Sequence, residues 1–328
     1  MPQARYLCTM ETRTASQIGS TSEAYAVVLG GANTDIVGFS DQALIARDSN
    51  PGHVCVSSGG VGRNIAENLA RIEVPVKLVT AFGNDVNAAR LRAKCVETGI
   101  DVAHSLSIGD LPGCVYLAIA DECGIMNLAL NDMRALDRVV PSALESLRSV
   151  LRDASVIVLD TNIGESTIEW MCEVGASVPI VLDPVSVVKS ARARSSLGRL
   201  HTLKANEMEA RALVGDALPG DAPIELVARE LISTGLHRIL ITMGERGVYA
   251  LEGDEYLEIP APSVTVLSDT GAGDAFAAGA AWGAMQHASL WQTARFASSL
   301  ASRALTTEET VDSSLSRSIV ERVMEEAQ

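Results

Sequence analysis

Four short apolar runs in the second half of the chain each stop on a polar or glycine residue, with helical segments between them. Val156–Leu159 ends in Asp160-Thr161-Asn162, Ile180–Leu182 in Asp183-Pro184, His201–Leu203 in Lys204-Ala205-Asn206, and Ile239–Thr242 in Met243 to Gly247. Residues 141–152, 165–174, about 190–198, 207–214 and 223–234 read as the intervening helices. Uninterrupted apolar strands that alternate with helices must be covered on both faces, which predicts a doubly wound, mainly parallel α/β sheet flanked by helices. In such sheets ligands sit at the carboxyl ends of the strands, so the polar residues at those ends are the place to look for function. Tyr25–Leu29 fits as the first strand, with a loop through Gly30-Gly31 that presents Asn33 and Asp35; Val76–Ala81 is another core strand, and 86–98 a helix stopped by Gly99. Two stretches break the rhythm. Residues 36–56 are polar and irregular around the turn Asp48-Ser49-Asn50-Pro51-Gly52, and Gly113–Ala120 and Met126–Leu130 flank Asp121–Gly124 as a hairpin. These predict a small β-sheet, with strands within about 36–56 and 113–130, attached to one large domain spanning 24–328. Residues 1–23, rich in Ser and Thr, read as a disordered N-terminal extension.

Three motifs carry chemistry. Asn33 and Asp35 set an amide beside a carboxylate, which suits gripping neighbouring hydroxyls, although the same residues can form a plain Asx-turn. Gly59-Gly60-Val61-Gly62-Arg63-Asn64 is a glycine loop that opens a helix, with Ile65, Leu69 and Ile72 at helical spacing. Arg63 opposes the helix dipole there, and faces either a ligand carbonyl or phosphate, or solvent. Val266 to Phe276 reads as strand, glycine loop and helix N-terminus, a ready anion site. An acid in that loop, Asp274, repels phosphate unless it takes a proton from an attacking hydroxyl; otherwise it caps the helix.

The formal charge of −15 argues against nucleic acid or an anionic membrane as a partner. The six cysteines have no metal-like spacing and read as reduced thiols of an intracellular, cytoplasmic protein without zinc. No apolar run is long enough to span a bilayer, and residues 1–23 lack a secretory core. Arg5 and Arg13 would suit organellar targeting, against which Glu11 and Glu23 count.

Gly59-Gly60-Val61-Gly62-Arg63-Asn64, Asn206-Glu207-Met208-Glu209 and Asp269-Thr270-Gly271-Ala272-Gly273-Asp274 stand in the order of the signatures of the ribokinase-like, or PfkB, carbohydrate and nucleoside kinases. The chain resembles that family from about residue 25 to 325. Asp48–Gly52, Gly59–Ala66, Asn131-Asp132-Met133 and Val181–Val185 are most similar to its pseudouridine kinase branch. The resemblance implies a ribokinase-like fold with a β-sheet lid and transfer of phosphate from ATP to the 5′-hydroxyl of pseudouridine. Ribokinase, another nucleoside or sugar kinase, or a non-catalytic nucleoside binder are the alternatives. It implies Asp274 as general base, and the amides of Gly271, Ala272 and Gly273 as the anion hole. Asn33, Asp35, Gly59, Gly60 and Asn64 would hold the ribose, and Asn131, Arg63 and Asp48 would face the base. For ATP it implies Lys204, Asn206, Thr242, Gly244 and Gly247 beside Gly271 and Gly273. Mg²⁺ would be organised by Asn206 and Glu209 through water. Many relatives carry Asp where this chain has Ser268, a position that serves a monovalent-cation site, which puts activation by K⁺ in doubt. Lids of this kind often dimerise, and Val115, Leu117 and Ile119 alternate as one face of such a sheet.

Overall fold

The computed structural model describes residues 24–319 and residue 322; the expected N-terminal extension lies outside the described residues. Among the described residues fourteen strands form three sheets. In chain order they are β1 (Ala26–Leu29), β2 (Asn33–Ser40), β3 (Gly52–Gly59), β4 (Val76–Val79), β5 (Ala81–Phe82), β6 (Leu106–Ser107) and β7 (Val115–Ala120). Then follow β8 (Met126–Asp132), β9 (Val156–Asp160), β10 (Ile180–Asp183), β11 (Thr202–Asn206), β12 (Arg238–Thr242), β13 (Val248–Glu252) and β14 (Glu255–Ile259).

The main sheet has the order β14-β13-β12-β11-β10-β9-β1-β4. It is parallel from β4 to β12 and finishes with the antiparallel pairs β12–β13 and β13–β14. Every residue of β1, β9 and β10 is buried. In β1 the side chains divide between two cores: Val27 and Leu29 face one helical layer, Ala26 and Val28 the other. The chain winds from β1 out to β4, then returns to β9 and proceeds the opposite way. The strand order therefore reverses beside β1 and β9, where an open α/β sheet leaves a crevice for ligand.

Alanine and glycine shape the layer next to that crevice. The helix Ala272–Met285 is built almost wholly of small residues and lies on β9, β10 and β11. Gly279 sits so close to Ala297 of the helix Leu290–Leu305 that an added Cβ would come within 2.4 Å of the Ala297 Cα. Larger residues would push the helix off the sheet, and its N-terminus would no longer reach the crevice.

The second sheet, β3-β2-β7-β8, is the expected lid, with β2 and β7 parallel and the outer pairs antiparallel. It begins earlier than the sequence suggests. Asn33 and Asp35 lie inside β2 rather than in a loop, because the chain turns within Gly30–Ala32 and enters the lid at once. Two expected helices are also broken. Residues 141–152 become Pro141–Leu144, a 3₁₀ turn at Glu145–Leu147 and Arg148–Arg152, while Val187–Ser190 passes into a 3₁₀ segment, Ala191–Arg199. Ser195, Ser196 and Gly198 favour the helix weakly there. No helix among the described residues is long and apolar enough to cross a membrane.

Candidate active site

The helix Ala272–Met285 starts from Gly271 as its N-cap, in the left-handed region at φ 84°, with no side-chain cap. A Cβ at Gly271 would also overlap the Thr310 carbonyl, so only glycine closes this turn. The Ala272 amide turns back weakly to Asp269 O at 3.4 Å, and those of Gly271 and Gly273 find no acceptor among the described residues. Asp274 is the third residue of the helix and not its cap. Its carboxylate instead accepts from Asn64 Nδ2 at 2.7 Å, across 210 residues of sequence. That contact joins the two glycine loops.

Asp274 keeps part of its surface open to the cleft but is crowded on its other sides. Burial and the charge of Asp183 push its carboxyl up to about 7, against the Asn64 hydrogen bond and the Lys204 charge. Its neighbours form a buried charge cluster at the ends of β10 and β11. Lys204 Nζ donates to Asp183 Oδ2 at 2.9 Å, with both side chains buried. Burial works to lower the Lys204 ammonium, but Asp183 and Glu209 outweigh it and hold the group above its usual range. The ammonium stands 3.0 Å from where a Cβ on Gly273 would be, beside the amide loop. Glu209 is buried too, and burial followed by the Asp183 charge raises its carboxyl.

Asn206 and Glu209 are already engaged. Asn206 Oδ1 accepts from the Glu209 amide and Glu209 Oε2 from the Asn206 amide, each at 2.9 Å, closing a capping box on the helix Glu207–Val214. The same spacing that reads as a kinase motif is thus also a helix start. Among the described residues there is no cluster of three or more His, Cys, Asp or Glu able to hold a metal. The donor set fits an ion that keeps most of its waters and takes phosphate oxygens, as Mg²⁺ does.

On the lid side of the cleft, Asn33 Nδ2 donates to Asp35 Oδ1 at 2.5 Å. Burial raises the Asp35 carboxyl, moderated by that hydrogen bond and by the charge of Arg63. A Cβ on Gly59 would overlap the Asp35 carboxylate, and Gly60 is the N-cap of the helix Val61–Arg71 at φ 100°. Beneath them Asp160, buried at the end of β9, accepts from the amides of Gly31 at 2.8 Å, Gly62 at 2.7 Å and Asn162 at 2.8 Å. One carboxylate therefore fixes both turns, the one leading to Asn33 and the one opening the helix Val61–Arg71.

Two cavities flank this line. One, of about 260 Å³, is lined by Thr242, Gly244 and Gly247 together with Ala272 and Gly273, and its apolar wall is Pro260, Pro262 and Leu305. The other, about 480 Å³ and polar, lies between the lid and the strand ends. Asn131, Asn162, Lys189 and Arg192 line it. Lys189 Nζ donates to Asn162 Oδ1 at 2.6 Å, and the Asn162 side chain covers Gly31, 2.8 Å from an added Cβ there. Asn131 belongs to the same lid face as Asp35, with Tyr116 between them.

Two expected base contacts are placed elsewhere. Asp48 lies in the exposed loop at the far end of β2 from Asn33, its carboxylate accepting from the Ser49 amide at 2.7 Å. Arg63 is neither solvated nor turned to this cavity: it is buried, pairing with Glu67 and donating to Ser58 O at 3.0 Å and Asn64 Oδ1 at 2.7 Å. The sequence reading passed over Asn162, Lys189 and Arg192, although Asn162 stands at a strand end where polar residues were already the rule.

With two glycine loops meeting at one acid on the crevice of a doubly wound sheet, the match of residues 23–317 to the pfkB family carbohydrate kinase profile is decisive. The chain belongs to the pfkB family of carbohydrate kinases. It is 36% identical to the pseudouridine kinase of Escherichia coli K12 over 306 residues, which is 93% of this chain and 97% of that one. A carbohydrate kinase from Agrobacterium tumefaciens, 26% identical, superposes with a TM-score of 0.81 over 92% of this chain and 97% of its own. Arabidopsis thaliana ribokinase, solved with ribose and ATP, superposes with the same score at 20% identity, over 92% of this chain and 99% of its own, and shares the ribokinase-like fold. As a member of this family the chain is a phosphotransferase acting on an alcohol group, with a sugar or nucleoside as acceptor.

Proposed function

We propose that this pfkB kinase phosphorylates the 5′-hydroxyl of pseudouridine, using ATP and Mg²⁺. The observation that carries the reading is the line from Asp274, through Asn33 and Asp35, to the polar cavity at Asn131, Asn162 and Lys189. It offers a proton acceptor, a diol grip and a polar base site in the order a nucleoside needs. The pseudouridine kinase relative supports the choice of nucleoside.

Asp274 takes the proton from the 5′-hydroxyl as that oxygen bonds to the γ-phosphorus and the bond from phosphorus to the β–γ bridging oxygen breaks, with ADP leaving. The amides of Gly271, Ala272 and Gly273, with the Lys204 ammonium beside them, receive the charge on the transferred group. Asp35, oriented by Asn33, holds the 2′- and 3′-hydroxyls, and Gly59, Gly60 and Asn64 line the ribose. The apolar wall of the smaller cavity takes the adenine, with Thr242, Gly244 and Gly247 along the nucleotide. Asn206 and Glu209 would hold Mg²⁺ through water, and the ion would supply positive charge to neutralise the nucleotide phosphates. Ser268, which spends its hydroxyl on the Thr270 amide at 3.2 Å, gives a K⁺ site no carboxylate.

A uracil joined through carbon exposes two N–H donors and two carbonyls. Asn131 and Asn162 can each donate and accept, and Lys189 can meet a carbonyl. The lid leaves its outer face apolar, with Val54, Val56, Leu117, Leu128 and Leu130 exposed. We assign this face to a second copy of the chain, since a patch of that kind is seldom left to solvent. The reading is tested by following ADP release with Mg-ATP and, in turn, pseudouridine, uridine, adenosine, ribose and fructose. Pseudouridine should be turned over with the highest kcat/KM; a preference for free ribose or fructose overturns the choice of substrate and leaves the family standing.

A further inference from the structure

Arg63 is a costly residue where it stands. It is the third residue of the helix Val61–Arg71, at the positive end of the dipole, and it is buried. Its charge is met by Glu67 one turn on, which also accepts from Arg71 Nε at 3.0 Å and Nη2 at 2.6 Å. This arrangement leaves Nη1 for two acceptors, Ser58 O and Asn64 Oδ1.

The second of these bonds fixes a choice that Asn64 could otherwise make either way. A carboxamide can turn over, exchanging its oxygen and nitrogen with little change of shape. With nitrogen toward Asp274 it donates to an ionised carboxylate; with oxygen there it suits only a protonated one. The guanidinium can only donate, so it takes the Asn64 oxygen and leaves Nδ2 on Asp274 Oδ2 at 2.7 Å. We propose that Arg63 is a positioning residue that locks the Asn64 amide with its N–H on Asp274, keeping that carboxylate ready to accept a proton. The proposal rests on the reading of Asp274 as the base.

Other groups face this relay. Asp183 from β10, Lys204 from β11 and Asp160 from β9 act on Asp274. Arg63 also bears on Asp35 of β2 and on Cys95 of the helix Val86–Glu97, whose thiol burial pushes up to about 11 and keeps neutral. Arg92 on that helix acts on Cys95 as well. None of these can orient the Asn64 amide, because none bonds to it.

The test is the pH dependence of kcat/KM with Mg-ATP and pseudouridine, for wild type, Arg63→Lys and the neutral pair Arg63→Met/Glu67→Met. The pair removes both fully buried charges together; Arg71, the other partner of Glu67, is partly exposed and keeps its bond to Ser313 O. Each variant is also made in an Asn64→Ala background. The Asp274 carboxyl is titrated in parallel without substrate, by carbon NMR referenced to Asp274→Asn. The neutral pair is expected to move the acid limb and the carboxyl titration up by ~1 pH unit, about a tenfold loss at pH 6 with little change in KM, and Arg63→Lys, which can still only donate to the Asn64 oxygen, should move them less. In the Asn64→Ala background neither replacement should move them further. An unmoved titration in a folded variant overturns the proposal and leaves a purely structural arginine. A further shift in the Asn64→Ala background overturns it in favour of direct action of the charge. Wild-type turnover by Asp274→Asn would instead remove the base assignment itself.

Discussion

At the phosphate end of the cleft, the groups around Asp274 come from the main sheet and the helices packed on it: Asp160, Asp183 and Lys204 from β9 to β11, and Asn64 from the helix Val61–Arg71. At the end proposed for the sugar and base, Asp35 and Asn131 come from the lid, and Asn131 is exposed. The first region is assembled by burial before any ligand arrives. The second has one wall of main-sheet origin, Asn162 with Lys189, facing a wall that stands in solvent. In the proposed function the chemistry is thus built on the buried main sheet, while the choice of acceptor is shared with the more exposed lid.

The sharpest way to separate the two regions is Asp274→Asn. Turnover should fall by roughly 10²–10⁴-fold, read by ADP release, with substrate binding largely kept. The same change should stabilise the protein at high pH. The carboxyl has an ordinary value of 3.8 and is raised to about 7 in the fold. Between those values the native state holds a proton that the unfolded chain has lost, so stability falls as pH rises through that window. Thermal melts should show the variant ahead by ~1–4 kcal/mol at pH 8 and level with wild type near pH 4.

Changes at the base end should act on affinity and choice. Lys189→Met or Asn162→Ala is expected to raise KM for pseudouridine about tenfold, the size of one lost polar contact, with kcat much less affected. Steady-state kinetics with ribose beside pseudouridine checks this: equal damage to both substrates would mean that the cavity does not hold the base. The smallest catalytic effect should come from Leu128→Asp on the outer lid face. It should shift sedimentation from dimer to monomer while changing kcat/KM by no more than a few-fold. Wild-type sedimentation as a monomer would remove the assignment of that face.

The same contrast governs how much could be read from residues alone. Six of the eight main-sheet strands and both glycine loops carry their own signal of apolar runs, turn glycines and helical spacing, whereas β13 and β14 went unread, and the strand expected before the Thr270 loop is irregular backbone outside any sheet. The helix Glu165–Val174 and the lid hairpin at Asp121–Gly124 lie where those signals put them. Asn33 and Asp35 were legible as a pair but not as strand, because two glycines hide how abruptly the chain enters the lid. Arg63 invited a ligand because its partner was overlooked, although Glu67 stands at the i,i+4 position where an ion pair forms on a helix. Asn206 and Glu209 show the converse, a family motif that is also a capping box. Asn162, Lys189 and Asn131 come from three separate elements, and only the sheet order brings them together.

Asp160 ties the Gly31 turn to the first turn of the helix that carries Asn64, and its own strand lies inside the sheet between β10 and β1. It acts as a covalent crosslink would between two loops almost adjacent in space and about thirty residues apart in sequence. Neither loop can relax alone while that carboxylate holds both. A substitution that shifts one of these loops is therefore transmitted to the other, and what evolution can vary independently is left to the lid above them.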